Sequence, residues 1–454
     1  MSSAVLAGGL GLGISDILRL RSRAAAFDFA SIGAESDTAV IQFWLGGGPS
    51  QFETFDPKPA APAEYRGPYE AISTKLAGVK ICEKLPRVAS VLDRATIIRS
   101  VTHSTDGHFV GAHWCVTGYA GTNNRASHPS NGSIASRFCG ARKPGLPAYV
   151  LLSEQQTRNP EIGEVMGPGH LGAGHNPLTI FQDPFVNKYQ QEPIATATAS
   201  LKLADDVTLE RLDDRQALLA YLDQIPRRID ASRMMDGMDQ FQRAALQMIT
   251  TSEARKAFDL NHEPVSVRER YGNHRWGQSA LLARRLVEAG VTFVTINTAP
   301  DSLCWDWHLN IVNDKRPADG SLGPSRGMDL SGPPLDQALS ALVTDLYERG
   351  LDRKVLLVVW GEFGRTPRIN ATGGRDHWGA VMSMLVSGGG LKMGQVIGAT
   401  NRKGEIPTDR PVSPTDVLTM MYRHLGIDSH QQTLTSAGRP IPILPDGQVI
   451  DELI

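Results

Sequence analysis

Residues 355–367 read VLLVVWGEFGRTP, an apolar run that passes directly into a loop of charged residues. The run is short and rich in β-branched residues, which is typical of a buried strand rather than a helix. Gly361 and Gly364 end the strand, and a second charged group, GRDHW, follows at 374–378. Such charges are costly to bury unless they pair or bind a ligand, so this loop is a candidate functional site. The alternative is a salt-bridged loop that only holds the fold together.

Apolar runs and helical patterns alternate along the chain. Strands are predicted at 38–45, 95–101, 148–152, 291–297, 355–359 and 382–386. Helices are predicted over 110–116, 276–289, 335–350 and 415–425. This alternation indicates an α/β fold with a mostly parallel sheet and helices on both of its faces. Ligands of such folds bind at the carboxyl ends of the strands, so the loops that follow strands are where we expect a site.

The composition is that of a large globular protein. The 454 residues are 41% hydrophobic and 21% charged, and the formal net charge is -2. A chain without excess positive charge lacks the electrostatic footprint of a nucleic-acid binder, so we expect no nucleic-acid partner. The four cysteines form no CxxC pair, which argues against a zinc ribbon or a thioredoxin-like site; they are Cys82, Cys115, Cys139 and Cys304. We expect small buried side chains there, and a disulfide remains open if the protein is exported.

The N-terminal segment resembles an export signal. Residues 5–14 are apolar and small residues follow at 24–26, as in the apolar and cleavage regions of such signals. The stretch is too short and too glycine-rich to span a membrane, so we expect no integral membrane span. No Lys or Arg precedes Arg19, so either the signal is truncated or the segment is a disordered or packed leader. We favour a truncated twin-arginine-type signal over 1–36, and therefore an exported, periplasmic or cell-envelope protein.

Residues 37–454 are predicted to form a single domain. The region around 155–260 is rich in loops and then in charged helical patterns, and it predicts an insertion or cap.

Carboxylates and imidazoles follow two of the predicted strands. Asp306 and His308 follow strand 291–297, and Glu362, Asp376 and His377 follow strand 355–359. The ends of parallel strands lie on one edge of the sheet, so these five side chains are candidate ligands of a divalent metal. Mixed oxygen and nitrogen donors suit Zn²⁺, Mn²⁺ or Fe, whereas Mg²⁺ prefers oxygen. Ca²⁺ is a further candidate.

Several alternatives remain open for these residues. In one alternative Asp376 only orients His377, and in another Arg365 and Arg375 neutralise the acids through bidentate pairing. The two arginines are also able to clamp a phosphate or sulfate group. The loop Gly46-Gly47-Gly48 after the first strand is able to cradle an anion or to form a plain tight turn.

The loop after the second strand carries further polar side chains. His103 and His108 are able to face the same crevice, and Ser104 and Thr105 lie between them. The alternative is that these histidines are hydrogen-bonded structural groups.

The motifs GGGPS (46–50), ETFDPKP (53–59), WDWH (305–308), GEFGRTP (361–367) and GRDHW (374–378) together resemble the DUF1501 family over nearly the whole chain. The resemblance implies an exported bacterial protein of a kind frequent in planctomycetes, often with a twin-arginine leader. It also implies the alkaline phosphatase/sulfatase-like superfamily, hence a three-layer α/β/α sandwich with a metal-dependent hydrolytic site. The expected substrate is a small anionic ester or a sulfated or phosphorylated glycan.

Within that superfamily, Asp306, His308 and His377 resemble the ligands of one metal, and Glu362 resembles a strand-end acid that helps to hold a second metal. Asp376 and His377 also resemble the Asp-His pair of the superfamily. This second alignment conflicts with the first, in which His377 joins Asp306 and His308.

The superfamily nucleophile falls at Ser104 or Thr105. His103 or His108 would move protons, and Arg365 would stabilise charge on the transferred group. The first strand end carries glycines where the superfamily has an aspartate ligand, and no Cys/Ser-X-Pro-X-Arg run follows the second strand. The competing hypothesis is therefore an exported, non-catalytic binding or scaffold protein that keeps the fold.

Overall fold

A computed structural model of the chain describes residues 37–121, 127–154, 164–182, 252–298, 305–309, 311, 327–435 and 437–454. Eight strands form its main sheet: β1 (Ala39–Trp44), β2 (Ala95–Val101), β3 (Tyr149–Glu154), β4 (Leu178–Gln182), β5 (Phe293–Asn297), β6 (Val355–Trp360), β7 (Met382–Gly388) and β8 (Gln395–Ile397). Their spatial order is β8-β2-β7-β6-β1-β5-β3-β4. All are parallel except β7, which runs antiparallel to β2 and β6. The predicted α/β class with a mostly parallel sheet is confirmed.

Helices cover both faces of the sheet. The described helices are α1 (Ala63–Arg66), α2 (Pro86–Ser90), α3 (His108–Thr117), α4 (Asn131–Phe138), α5 (Ser252–Phe258), α6 (Val265–Tyr271), α7 (Arg275–Ala289), α8 (Gly327–Glu348) and α9 (Pro414–His424). Four two-stranded ribbons lie outside the main sheet: Ala71–Ser73 with Lys80–Cys82, Gly364–Arg365 with His377–Trp378, Ala399–Thr400 with Pro407–Asp409, and Gln432–Leu434 with Pro440–Pro442.

The central strands divide two hydrophobic cores. Successive side chains of a strand point to opposite faces, so Ile41 of β1 joins one core and Val40 joins the other. The first core is closed by α7 and α8, and the second by α3, α4 and α9. Because β1, β5 and β6 are covered on both faces, they read as continuous apolar runs. This arrangement is the expected three-layer sandwich.

The antiparallel direction of β7 shapes the functional edge of the molecule. A parallel neighbour of β6 would need a crossover connection, usually through a helix, whereas an antiparallel one needs only a return loop. The loop 361–381 therefore leaves the carboxyl end of β6 and enters β7 at the same edge. All of its charged residues stay at that edge.

Several elements differ from the sequence prediction, among them β8 and α4, which it does not contain. The predicted start of α8 at Leu335 is wrong, because the helix begins at Gly327 and contains Pro333 and Pro334. Prolines weaken a helix interior locally, but the first turns bury Met328 and Ser331, and this packing outweighs the local cost. The region predicted to be loop-rich also contains β4, an edge strand parallel to β3.

Some predictions lie outside the described residues. These are the leader over 1–36 and most of the insertion, namely 155–163 and 183–251. Among the described helices, none is both long and apolar enough to cross a membrane.

We predict that Leu357→Ala lowers the free energy of unfolding by about 2–5 kcal/mol, because Leu357 is fully buried in central strand β6 and truncation leaves a cavity. Urea denaturation monitored by circular dichroism measures the change. Leu434→Ala is the matched control, since Leu434 is 63% exposed and its truncation should cost less than about 0.5 kcal/mol. Equal losses in the two variants would contradict this account of the core.

Candidate metal centre

Three loops meet at the carboxyl edge of the sheet and place the candidate residues together. Asp306 and His308 follow β5, and Glu362 directly follows β6. His377 lies in the return loop that leads into β7, and His108 is the first residue of α3 after β2. The strands end side by side, so residues far apart in sequence become neighbours here.

The Asp306 carboxylate lies at the centre of this group. Its Oδ1 is 3.0 Å from His308 Nε2 and 3.1 Å from His377 Nε2. The two Nε2 atoms are 2.9 Å from each other. Oδ2 of Asp306 lies 3.3 Å from His108 Nε2, and Arg365 Nη2 contacts Oδ1. Three imidazoles and one guanidinium therefore surround a single carboxylate.

The other ring nitrogens of the three histidines face hydrogen-bond acceptors. His377 Nδ1 lies 2.7 Å from the carbonyl oxygen of Asp106, and His308 Nδ1 lies 3.0 Å from Oδ1 of Asp376. His108 Nδ1 lies 2.7 Å from Oε1 of Glu362. A carbonyl or carboxylate oxygen only accepts, so each Nδ1 carries the proton and donates it. When such a ring is neutral, it presents the lone pair of Nε2 to Asp306.

This tautomer assignment has an electrostatic consequence. Lone pairs of His308, His377 and Asp306 converge within about 3 Å, which is repulsive unless a proton or a cation lies among them. Histidines that bind metals show the same pattern, with Nε2 on the ion and the second ring nitrogen held by a carboxylate or a carbonyl. His108, Asp306 and His377 can each bring one ligand atom within 4.8 Å of the others.

The surroundings favour positive charge. Burial would raise the pKa of Asp306, but Arg365 and the three histidines hold it well below its usual range. Burial would lower the pKa of His108, but Asp306 and Glu362 raise it to about 9. Hydrogen bonding to Asp306 also raises the pKa of His308, whereas burial lowers that of His377. The carboxylates thus stabilise a cation in contact with them.

Glu362 is placed to support the centre. It is fully buried, and its Oε1 accepts hydrogen bonds from His108 Nδ1 and, at 2.8 Å, from the Gly47 N–H. Its Oε2 has no hydrogen-bond partner among the described residues. A buried carboxylate with one unpaired oxygen is costly unless positive charge lies nearby. Together with the nitrogen and oxygen donors around Asp306, this residue set fits a divalent cation such as Zn²⁺ or Mn²⁺.

Arg365 does not lie where a substrate can reach it. The guanidinium is fully buried, its Nε donates to the Gly48 carbonyl at 2.8 Å, and its Nη2 contacts Gly47 O and Asp306. The sequence predicts that Arg365 stabilises charge on a transferred group, whereas in the structure its donors are engaged within the protein. It holds the glycine loop against Asp306 instead.

Arg375 is neutralised by an acid that the sequence analysis did not assign. Its Nε lies 3.1 Å and its Nη2 2.9 Å from the Glu53 carboxylate, a bidentate pair in which both side chains are almost fully buried. Its remaining N–H groups donate to the carbonyls of Tyr65, Thr366 and Pro367. Arg375 has no donor left for a phosphate or sulfate. The partner, Glu53, is the first residue of the motif ETFDPKP.

His103 also has both ring nitrogens engaged. Its Nε2 lies 2.6 Å from the Glu362 carbonyl and its Nδ1 accepts from the Thr105 N–H at 3.3 Å. Burial lowers the pKa of His103. The sequence predicts that His103 or His108 moves protons, whereas in the structure both ring nitrogens of His103 contact backbone groups and fix the loop after β2 against Glu362.

The two candidate nucleophiles differ in their environment. Thr105 Oγ1 accepts a hydrogen bond from the Gly107 N–H at 3.3 Å, which forms a local turn. Ser104 is exposed, and its hydroxyl makes no hydrogen bond to a described residue.

Some contributors to the centre have no signal in a single sequence. The Asp106 carbonyl that orients His377 belongs to the backbone, and Asp106 Oδ1 accepts from the Gly379 N–H at 2.7 Å. Asn370 Nδ2 donates to both the His308 carbonyl and Asp376 Oδ1, each at 3.1 Å. These contacts depend on loops that approach only in the folded chain.

The glycine loop after β1 serves close packing. Gly48 has φ +80°, a conformation that favours glycine, and a Cβ there would lie 2.4 Å from the Phe363 ring. The Phe363 ring in turn contacts His108 and His377, with centroid distances of 5.0 and 4.5 Å. The carbonyls of Gly47 and Gly48 accept from Arg365, and the Gly47 N–H donates to Glu362, so these backbone groups are engaged within the protein.

We predict that Arg375→Met lowers the free energy of unfolding by about 3–5 kcal/mol, because it leaves the buried Glu53 carboxylate without its partner. Urea denaturation measures the loss. Arg439→Met, at an exposed position, is the control and should change stability by less than about 0.5 kcal/mol. A neutral effect of Arg375→Met would show that the pair does not hold the loop.

Several solved structures are similar to the chain at low sequence identity. A sulfatase from Pseudoalteromonas sp. shares 11% identity over 90% of this chain and 70% of its own, with a TM-score of 0.35. A phosphonate monoester hydrolase from Silicibacter pomeroyi shares 12% identity over 87% and 74%, with a TM-score of 0.35. The C-terminal periplasmic domain of EcEptC from Escherichia coli, in complex with Zn, shares 9% identity over 91% and 95%, with a TM-score of 0.37.

No curated protein sequence matches the chain. The profile of the family described as "Protein of unknown function (DUF1501)" matches residues 37–454, which cover every described element of the fold and all residues of the candidate centre. The chain therefore belongs to the DUF1501 family.

Proposed function

We propose that the protein is a metal-dependent hydrolase of phosphate or sulfate esters. The observation that carries the proposal is the convergence of His308 Nε2 and His377 Nε2 on Asp306 Oδ1, while both Nδ1 atoms are held by acceptors. Such an arrangement is stable with a cation at its centre and strained without one.

Within this proposal, the cation is held by His108, Asp306, His308 and His377. Glu362 and Asp376, expected from the sequence to be ligands, are assigned instead to orient His108 and His308 through their Nδ1 atoms. The number of imidazole nitrogens favours Zn²⁺ or Mn²⁺ over Ca²⁺, which takes oxygen ligands.

A bound divalent cation would polarise the ester and lower the pKa of a hydroxyl or water nucleophile. We assign the nucleophilic hydroxyl to Ser104, which is exposed four residues before His108, in preference to Thr105, whose Oγ1 is engaged in a turn. Glu362 and the Asp106 carbonyl keep the histidines in one tautomer, and Arg365 keeps Asp306 ionised.

The proposed substrate is a small anionic ester or a sulfated or phosphorylated glycan. Similar solved structures include a sulfatase and a phosphonate monoester hydrolase, which is compatible with this class. We also propose that the protein is exported, on the basis of the apolar stretch and small residues within 1–36.

A second candidate function is a non-catalytic binding or scaffold protein with a structural cation. The observation that favours it is the end of β1, where the glycine loop binds Arg365 and offers the centre no carboxylate. Metal binding without hydrolysis of a phosphate or sulfate ester would favour this second function.

We predict that the wild-type protein binds Zn²⁺ or Mn²⁺ and that Asp306→Asn abolishes binding, because the central charged ligand is lost. Elemental analysis of dialysed protein and isothermal titration calorimetry measure this. Asp409→Asn, at an exposed position, is the control and should bind like the wild type. Metal-free wild-type protein that takes up neither ion would exclude the proposed centre.

We predict that Asp376→Asn weakens metal affinity about 10–100-fold without abolishing it, because the substitution removes the charged partner of His308 Nδ1. The same titration measures the change. A complete loss would mean that Asp376 is itself a ligand, as the sequence analysis expected.

We predict that the metal-loaded protein hydrolyses p-nitrophenyl sulfate or phosphate, and that His377→Ala and Ser104→Ala each lower kcat/KM at least about a hundredfold. Release of p-nitrophenol measures the rate. His430→Ala replaces an exposed histidine outside the centre and is the matched control. If neither ester is turned over with Zn²⁺, Mn²⁺ or Ca²⁺ supplied, the scaffold function is favoured.

A further inference from the structure

The arginines within the candidate centre are not available to an anionic substrate. Arg365 and Arg375 are both fully buried and donate to groups of the protein itself. Substrate anions must therefore find their positive partners elsewhere on this edge of the molecule.

Four exposed cations lie beside the centre on loops that are tied together. We call them the basic rim: Arg66, Arg368, Arg402 and Lys403. None of them forms an ion pair with a described residue, in contrast to Arg375 and Arg365. Exposed and unpaired guanidinium groups are well suited to bind sulfate or phosphate oxygens in a bidentate manner.

Backbone contacts bring the loops of the basic rim together at Tyr65. The Ile369 N–H donates to the Glu64 carbonyl at 2.8 Å, so Arg368 lies beside the segment that carries Arg66. Lys403 Nζ lies 4.7 Å from the centroid of the Tyr65 ring, which brings the turn 401–405 to the same place.

The basic rim is joined directly to the centre. Arg375 Nη2 donates to the Tyr65 carbonyl at 2.7 Å. Trp378, which follows His377, donates through Nε1 to the Glu405 carbonyl at 2.8 Å, in the same turn as Lys403. A ligand that reaches from the centre across Trp378 thus meets the rim cations.

The charges of the basic rim exceed those of the acids beside it. Glu64 is exposed next to Arg66, and Glu405 accepts from Asn401 Nδ2 at 2.8 Å. Four cations against these two carboxylates leave a positive surface on a chain whose formal net charge is -2. The positive charge is therefore local, and it favours a ligand with several anionic groups.

The chemistry of the rim indicates which class of polyanion it binds. The cations of the basic rim are suited to a polymer that carries many anionic groups, such as sulfate groups. Single-stranded nucleic acid needs aromatic platforms for its bases. Here one face of Tyr65 is covered by Lys403, and Trp378 is partly buried, so the rim offers charge without such platforms.

From these contacts we propose that the basic rim binds the additional sulfate groups of an extended sulfated polysaccharide while one sulfate ester occupies the centre. This inference rests on the proposed function for the identity of the reacting group. Binding by the rim needs neither metal nor turnover, so the two proposals can fail independently.

The test is binding of the full chain to dextran sulfate, measured by calorimetry over a series of salt concentrations. The variant combines Arg66→Gln, Arg368→Gln, Arg402→Gln and Lys403→Gln. We expect it to bind at least about tenfold more weakly, with a slope of log affinity against log salt reduced by roughly three. Uncharged dextran should not bind to the wild-type protein.

The matched control removes the same number and type of charges at exposed sites outside the rim: Arg353→Gln, Lys392→Gln, Arg423→Gln and Arg439→Gln. We expect its affinity to remain within about twofold of the wild type. Equal thermal unfolding midpoints of all three proteins establish that each is folded.

Three results would overturn the proposal. One is absence of dextran sulfate binding by the wild-type protein, and another is an equal loss in the control, which would indicate bulk charge alone. The third is equal or tighter binding of polyphosphate or single-stranded DNA, which would assign the rim to a different class of partner.

Discussion

The ionised carboxylate of Asp306 is the group on which the arrangement of the functional edge depends. Three imidazole nitrogens and the Arg365 guanidinium all point to its two oxygens. The strands and loops that carry these groups come from three separate parts of the chain. Any change that moves Asp306 away from this position removes the common partner of side chains that otherwise repel one another.

A layer of support surrounds this carboxylate and explains the nearby charged motifs. Arg365 contacts both the glycine loop and Asp306, and the Glu53–Arg375 ion pair holds the return loop in place. Glu362 and the Asp106 carbonyl set the tautomers of two histidines. Charges that are costly to bury are therefore paired, and the centre retains an oriented set of lone pairs.

Buried and exposed charged residues have different roles in this protein. The buried arginines serve the architecture, whereas the exposed cations lie at the perimeter on the loops around Tyr65 and in the turn 401–405. A small ester would use only the centre. A polymer with repeated anionic groups would use both regions, which is why the proposed polysaccharide follows from the placement of charges rather than from their number.

Much of the fold follows from local patterns. The run at 355–359 is a central strand because apolar, β-branched residues suit a position covered on both faces. The helix predicted from Trp276 begins one residue earlier and ends at Ala289 as predicted, since its apolar spacing and Gly290 define both face and end. The sequence alone therefore determined the α/β class, the main strands and the loops that carry Asp306, His308, Glu362 and His377.

The tertiary structure decided what each charged side chain contacts. Spacing could not show that Arg375 pairs with Glu53, some 320 residues away, or that His103 uses both ring nitrogens on backbone groups. It also could not show that β7 runs antiparallel and so keeps its whole entry loop at one edge. The physical reason is that hydrogen bonding and ion pairing act over a few ångströms in space, and only the packed sheet sets which distant loops come within that range.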